Sequence, residues 1–594
     1  MESHAGRDLS ADHALDSKDS WVRLHAPRQL ICKLRGDFGD RFLCYLGLCY
    51  CGLKGVADTL QVSSMLPYFQ RMQVSSVQFQ LVTVVARIPW SMKGLMGVLS
   101  DCLPLGTYHK RGYLVLSALI GCSGLLVLVL TPESSLRSDQ VWQMACCFCA
   151  VSIMVSTFDL LCEGKYTAMM SEQGAGGEIL TFVWCGMQFG GLIAALVTAV
   201  FVDHWGPRLL LSFCLIFAVL GLWRSAAGDM PEVPARSWMS LRIKITSEPR
   251  LFSLAVGMAL GSFCLALSAV YLSSRGRDIT SVLVSLILIA GSFWSLPSTL
   301  AKGNLYMFIM SVAYIDVTGP LTYFYTSSTE CILDGPHFSL SYYLAVSNVV
   351  GSLAGMLGSV LFQGMQAWSF RSAFLVTTGI QVVASIFDLL IVLRINTFYG
   401  VSDKVTYLFG DAACQSIAQM MALMPMALLT ARLCPRGAEA TVFAILAGFQ
   451  NFGASIASVL GVHVTEMFGV KASADGPCNF EHLSSLLVFT HMICPLLCLP
   501  LTFVLISDAK MDDTEAFADM SPAPSFASPA PSSPRSPFNY YESPRSTRSG
   551  SRGNSVDASD RVGGGMAAGL HDNGDDYLLM EEDEKGPSER RVFA

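Results

Sequence analysis

Arg87, Trp90 and Lys93 share one short run, RIPWSMKGLMGVLSD (residues 87–101), whose other positions are largely apolar. An arginine offers a forked donor to a carboxylate, a lysine a point charge, and a tryptophan a flat face for a cation or another ring. Other apolar runs are interrupted by Lys54 and Asp58, by Asp159 and Glu163, and by Asp316, Asp388, Asp411 and Glu439. Lys54 and Asp58 are four apart, as are Asp159 and Glu163, a spacing that puts each pair on one helix face; Lys54 and Asp58 are therefore expected to neutralise each other. The chemistry open to such a set is recognition of a charged, flat ligand and proton exchange at buried carboxyls. There is no glycine-rich phosphate loop, nucleophile elbow or metal-spaced cluster, so neither an enzyme nor a metal or cofactor site is expected.

The elements that must position these residues are membrane helices. Of 594 residues, 52% are hydrophobic and 14% charged, which excludes an ordinary soluble multidomain protein. A spanning helix needs about 20 mostly apolar residues. Such windows fall near 42–66, 77–99, 113–130, 141–163, 178–202, 208–228, 250–272, 281–300, 305–327, 340–363, 373–394, 405–430, 438–463 and 484–507. The fold class expected is an all-α polytopic membrane protein of 12–14 helices, two six-helix halves with an extra helix pair between them. The domains are then an N-terminal arm (1–41), a first half (42–228), a linker with the extra pair (229–304), a second half (305–507) and a tail (508–594). The polar arm has no early apolar core, so no cleaved signal peptide is expected. With both termini cytoplasmic, about 18 Lys and Arg fall in inner segments before the tail and about 7 in outer loops, as the positive-inside rule requires. The net charge of −7 reflects the acidic end of the tail, and no nucleic-acid partner follows from it. Most of the 19 cysteines sit in apolar windows, where they pack; Cys331 and Cys478 fall on outer loops and are expected to pair.

In that parse, the first and fourth helices of each half carry Asp58, Asp159, Asp316 and Asp411. In the major facilitator architecture these helices line the central cavity, so the acids, with Arg87, are placed there; Asp388 falls outside the pattern. Gly97, Asp101, Gly106, Lys110 and Arg111 resemble a stretched form of the motif that superfamily carries between its second and third helices. The segment DMPEVP (229–234) likewise resembles its Pro-Glu element after the sixth. Together with Lys165, Arg436 and Glu439 at inner helix ends, the Gly97, Asp101, Lys110 and Arg111 set is expected to govern conformational change. Arg87→Ala should then alter binding, and Asp101→Ala turnover.

Three blocks carry a closer resemblance. Pro89, Trp90, Lys93, Gly97, Ser100 and Asp101 form the first, and Asp159, Glu163, Gly164 and Lys165 the second. The third is Cys434, Pro435, Arg436, Glu439, Ala440, Thr441 and Asn451. In these blocks the chain resembles the folate-biopterin transporter family, with kinetoplastid members nearest in pattern; Gly94 stands where many members have proline. The resemblance implies a secondary transporter importing folate, biopterin or a related pteridine by alternating access, coupled to protons. Trp90 would stack on the ring, Lys54, Arg87 and Lys93 would hold carboxylates, and Asp58, Asp159, Glu163 and Asp316 would be candidates for the proton. Two readings stay open beside it: transport of S-adenosylmethionine, as in similar family members, and a membrane receptor or scaffold that moves nothing.

The tail beyond residue 508 is rich in Pro, Ser and Gly, a composition expected to be disordered. Ser-Pro pairs at Ser521, Ser528, Ser533, Ser536 and Ser543, and YLLM at 577–580, offer sites to kinases and sorting proteins. The expected location is the plasma membrane, with the bilayer and a small-molecule substrate as partners.

Overall fold

The computed structural model describes residues 27–132, 135–173, 178–232, 234, 249–365, 367–433, 439–472 and 478–511. Among them, 11 helices are long and apolar enough to cross a membrane. Three more of comparable length, residues 40–71, 76–102 and 403–433, carry Lys54 and Asp58, Arg87 and Lys93, and Asp411. In chain order these helices are α1 (40–71), α2 (76–102), α3 (Arg111–Leu130), α4 (Val141–Gln173), α5 (Glu178–Trp205), α6 (Pro207–Ala227) and α7 (Pro249–Tyr271). They continue as α8 (Ser274–Ser295), α9 (Ser298–Thr326), α10 (341–364), α11 (Phe370–Val392), α12 (403–433), α13 (Glu439–Met467) and α14 (Leu483–Leu505).

Helices α1–α6 form one bundle and α9–α14 a second. The seams between them are α2 against α9 and α13, and α5 against α10; the extra pair packs with α7 on α2 and α13 and α8 on α9 and α13. This is a major facilitator-type fold. Large side chains such as Leu283, Leu286 and Ile287 of α8 are exposed, as a lipid-facing surface requires. Close helix approach depends on small residues: a Cβ on Gly55 of α1 would lie 2.8 Å from Gly190 Cα on α5.

These three charged helices are irregular, as are α10 and α14, which have π-helical stretches at Ser341–Val346 and Val488–Ile493. Lys54 lies in a π-helical stretch of α1 (Leu48–Ala57), and Asp411 in one of α12 (Leu408–Gln415). Pro89, with no N–H to give, tightens α2 to a 3₁₀ stretch over Ile88–Met92, between Arg87 and Lys93.

Two expectations need correction. The eighth and ninth helices run 274–295 and 298–326 instead of 281–300 and 305–327, because Pro297 disfavours helix at Leu296 and breaks the chain there. The second half therefore begins at residue 298 rather than 305. Asp316 is not mid-helix: α9 is unwound at 314–317, and the Asp316 carboxylate accepts the Thr318 N–H at 2.9 Å, a local turn that leads into the helical segment Thr318–Thr326.

Cys331 and Cys478 are joined in a disulfide, Cα–Cα 5.4 Å, tying the α9–α10 loop to the α13–α14 loop. The end of the bundle that bears it is called here the disulfide end, and the one carrying residues 99–111 the motif end.

Candidate functional site

Three helices bring the charged residues of the first half together. From α4, Asp159 projects between two lysines: Lys54 Nζ of α1 donates to Oδ1 at 2.8 Å, and Lys93 of α2 donates to Oδ2. Arg87 closes a fork on Asp58 across the α1–α2 contact, Nη1 to Oδ1 at 2.5 Å and Nη2 to Oδ2 at 3.3 Å. Lys54 and Asp58 thus do not serve each other as expected. Each has a partner on a neighbouring helix, where an arginine meets both carboxylate oxygens at once, a geometry a lysine cannot match.

Trp90 joins the two ion-pair groups. Its ring lies 4.9 Å from the Arg87 guanidinium carbon, 4.5 Å from Lys93 Nζ and 6.0 Å from Lys54 Nζ, each measured to the centroid. Lys54 is further flanked by Tyr50 at 5.6 Å and Trp184 of α5 at 5.8 Å. The Tyr50 hydroxyl donates to the Asp159 carbonyl at 3.3 Å. The two ion-pair groups hold three cations against two carboxylates, and Glu163 follows one turn beyond Asp159. Asp159 is 2% exposed, whereas the Arg87 and Lys54 side chains are 31% and 22% exposed, so these two cations, and not Asp159, face open space. Such a site can take an anion on its cations and a flat ring on its indoles.

A family model described as the BT1 family matches residues 54–522 of the 594. The chain belongs to the BT1 family. It is 26% identical to the probable folate-biopterin transporter 4 of Arabidopsis thaliana over 74% of this chain and 92% of the relative. It is 23% identical to the folate-biopterin transporter of Synechocystis sp. over 68% and 70% of the two chains. Its fold matches a crystal structure of a POT family transporter in complex with 5-aminolevulinic acid, with TM-score 0.55 and 13% identity, over 80% of this chain and 98% of that one. These relatives are transporters, not enzymes.

In this BT1 family member the motif-end residues form a second group, about the start of α3. The Glu232 carboxylate accepts the backbone N–H of Lys110 at 2.8 Å and of Arg111 at 3.0 Å, capping α3 from the segment after α6. The Arg111 guanidinium donates to the Ala226 carbonyl at the end of α6. Gly97 faces Leu160 of α4 at ordinary contact distance, and Lys165 lies near the motif end of α4. For Asp101 and Glu439 the description covers the backbone only, and Arg436 lies outside the described residues, as do the Ser-Pro and YLLM sites. Glu232→Ala is expected to cost about 1 kcal/mol, the usual worth of such a cap. Thermal unfolding in detergent and amide exchange at Lys110 and Arg111 would show it, and unchanged protection there would refute the cap's role.

Asp316 stands apart from the first-half site, at the break in α9. There Gln80 of α2 donates Nε2 to the Asp316 carbonyl at 2.6 Å and to the Ser458 carbonyl of α13 at 2.7 Å, and its Oε1 accepts the Gly319 N–H at 3.1 Å. Sequence reasoning missed Gln80, an uncharged residue with no motif around it. It also missed Trp184 and Tyr50, whose aromatic character is unremarkable among membrane helices. Asp388 and Asp411 were visible as acids, but not the hydroxyl beside them: Tyr325 donates to Asp388 Oδ1 at 2.6 Å.

Proposed function

We propose that this protein is a secondary transporter that imports folate, biopterin or a related pteridine across the plasma membrane by alternating access, coupled to protons, with both termini cytoplasmic. The observation that carries the reading is the Trp90 ring held among Lys54, Arg87 and Lys93, three cations whose ion pairs use two carboxylates. The names of the Arabidopsis and Synechocystis relatives support the same substrate class. A folate-like ligand has a flat ring for the indole and carboxylates for the cations. A ligand carboxylate that takes Arg87 deprives Asp58 of its cation, and carboxylates that take both lysines deprive Asp159; a buried acid so deprived is neutralised by a proton. Substrate and proton then enter one site for a single electrostatic reason. Glu163, in the same field, and Asp316, at the α9 break, are further candidates for the proton.

The test is uptake of labelled folate and biopterin into vesicles bearing the protein, with and without a pH gradient. Accumulation that rises with the gradient is expected. Arg87→Ala should raise the concentration needed for half-maximal folate uptake by about tenfold or more, since a hydrogen bond to a charged group is worth roughly 1.5–3 kcal/mol. Binding without accumulation would mark a receptor or scaffold instead. Competition by S-adenosylmethionine but not by pteridines would refute the substrate class.

A further inference from the structure

A cavity of about 450 Å³ opens across the seam between the two bundles. It is lined by Gln188 of α5, Ser347 and Asn348 of α10, and Tyr407, Asp411 and Gln419 of α12. We propose that Asp411 receives the aminopyrimidine edge of the pteridine ring in this cavity; the proposal rests on the pteridine reading above and assigns the ring's specificity to the second half.

Three observations lead there. First, Asp411 differs from the first-half acids: Asp58 is held by Arg87 and Asp159 by two lysines, whereas no lysine, arginine or histidine pairs with Asp411 among the described residues. The Tyr407 hydroxyl, a neutral donor in the same lining, bonds to it, and the carboxylate's remaining acceptor positions are open to neutral donors of a ligand. A 2-amino-4-oxopteridine presents such donors side by side, the 2-amino group and the adjacent ring N–H, at the spacing of the two oxygens of one carboxylate. Second, the other lining groups are matched to the rest of such a ring. Ser347 and Asn348 donate their own hydrogens to carbonyls one turn back, on Tyr343 and Leu344, so their oxygens remain as acceptors. Gln188 and Gln419 add amides for the ring nitrogens and the 4-oxo group. A volume of this size is within the range of small-molecule sites, about 300–1,000 Å³.

Third, the cavity is continuous in helix register with the cation site. Gln188 lies four residues after Trp184, which places both on one face of α5 about 6 Å apart along its axis. Trp184 flanks Lys54, and Gln188 lines the Asp411 cavity. An elongated ligand such as folate, laid along that face, would put its carboxylates among Lys54, Arg87 and Lys93, its p-aminobenzoyl ring against Trp90 and its pteridine ring at Asp411, touching both bundles at once. A ligand without carboxylates, such as biopterin, would rely on the Asp411 end.

The experiment is equilibrium binding to the purified full chain with four probes: folate, biopterin, p-aminobenzoylglutamate, and a pteridine whose 2-amino group is replaced by oxygen. The unmodified protein should favour biopterin over the 2-oxo analogue by about tenfold, the worth of one lost hydrogen bond to a charged acceptor. Asp411→Asn should weaken biopterin by a similar factor and erase the preference, while p-aminobenzoylglutamate binds as before; Asp411→Glu should keep the preference. An unchanged biopterin preference in Asp411→Asn overturns the proposal, as does an equal loss of all four probes. If the unmodified protein binds no pteridine at all, the substrate reading itself fails, a result distinct from either.

Discussion

Asp159→Asn is expected to abolish uptake and to destabilise the protein in detergent by about 3–5 kcal/mol, the typical cost of removing one partner from a buried ion pair. The reason is stoichiometric. One carboxylate, 2% exposed, accepts from both Lys54 and Lys93. An asparagine of the same shape leaves two ammonium groups facing each other with no carboxylate bonded between them. Single removal of Lys54 is milder, because Lys93 continues to hold the acid. Adding Lys93→Met to Asp159→Asn should recover part of the lost stability, since it removes one of the orphaned charges, and the non-additivity of the two substitutions measures the pairing. Simple additivity, or a melting temperature of Asp159→Asn equal to that of the unmodified protein, would show that the lysines are neutralised elsewhere.

The same triad shows where sequence reading stops. Ionisable residues stand out against an apolar background, so Lys54, Asp58, Arg87, Lys93 and Asp159 were all legible as residues needing partners. Which cation meets which acid was not, because it depends on how α1, α2 and α4 cross. The four-residue spacing of Lys54 and Asp58 favoured the local pairing over the interhelical one that the structure contains. Helix existence was legible from hydropathy, and both misplaced boundaries had signals that hydropathy averages away. Pro297 marks the α8–α9 break, and Asp316, two residues before Thr318 and shortly before Gly319 and Pro320, has the form of an aspartate turn that leads into a helix. The Asp411 cavity was out of reach, since Gln188 comes from the other bundle and no sequence pattern links the two.

Gln80→Leu is expected to loosen the disulfide end and shift the protein away from the state described here. One amide side chain from the first bundle serves three backbone groups of the second, the carbonyls of Asp316 and Ser458 and the N–H of Gly319. Around it the bundles are joined again: the Tyr323 hydroxyl donates to the Val74 carbonyl at 2.5 Å, Ser76 N–H to the Ala472 carbonyl at 2.9 Å, and Gln70 to Thr326 at 3.2 Å. Gly461 makes room for this plug, since a Cβ there would lie 2.7 Å from Gln80 Nε2 and collide with the Asp316 carbonyl. Leucine has nearly the same volume but leaves those groups without their partner, at about 1–3 kcal/mol for each one left buried and unpaired. In the alternating-access cycle proposed above this contact would break in every turnover, so its loss penalises the sealed state more than the open one. Amide exchange should quicken by about tenfold or more across residues 314–326 and 455–465, since opening a segment by even 1.4 kcal/mol changes its population tenfold. Substrate release at the disulfide end should be faster than before, and rebinding from the motif end slower. Unchanged exchange in both segments would mean that the Tyr323 and Ser76 contacts seal this end without Gln80.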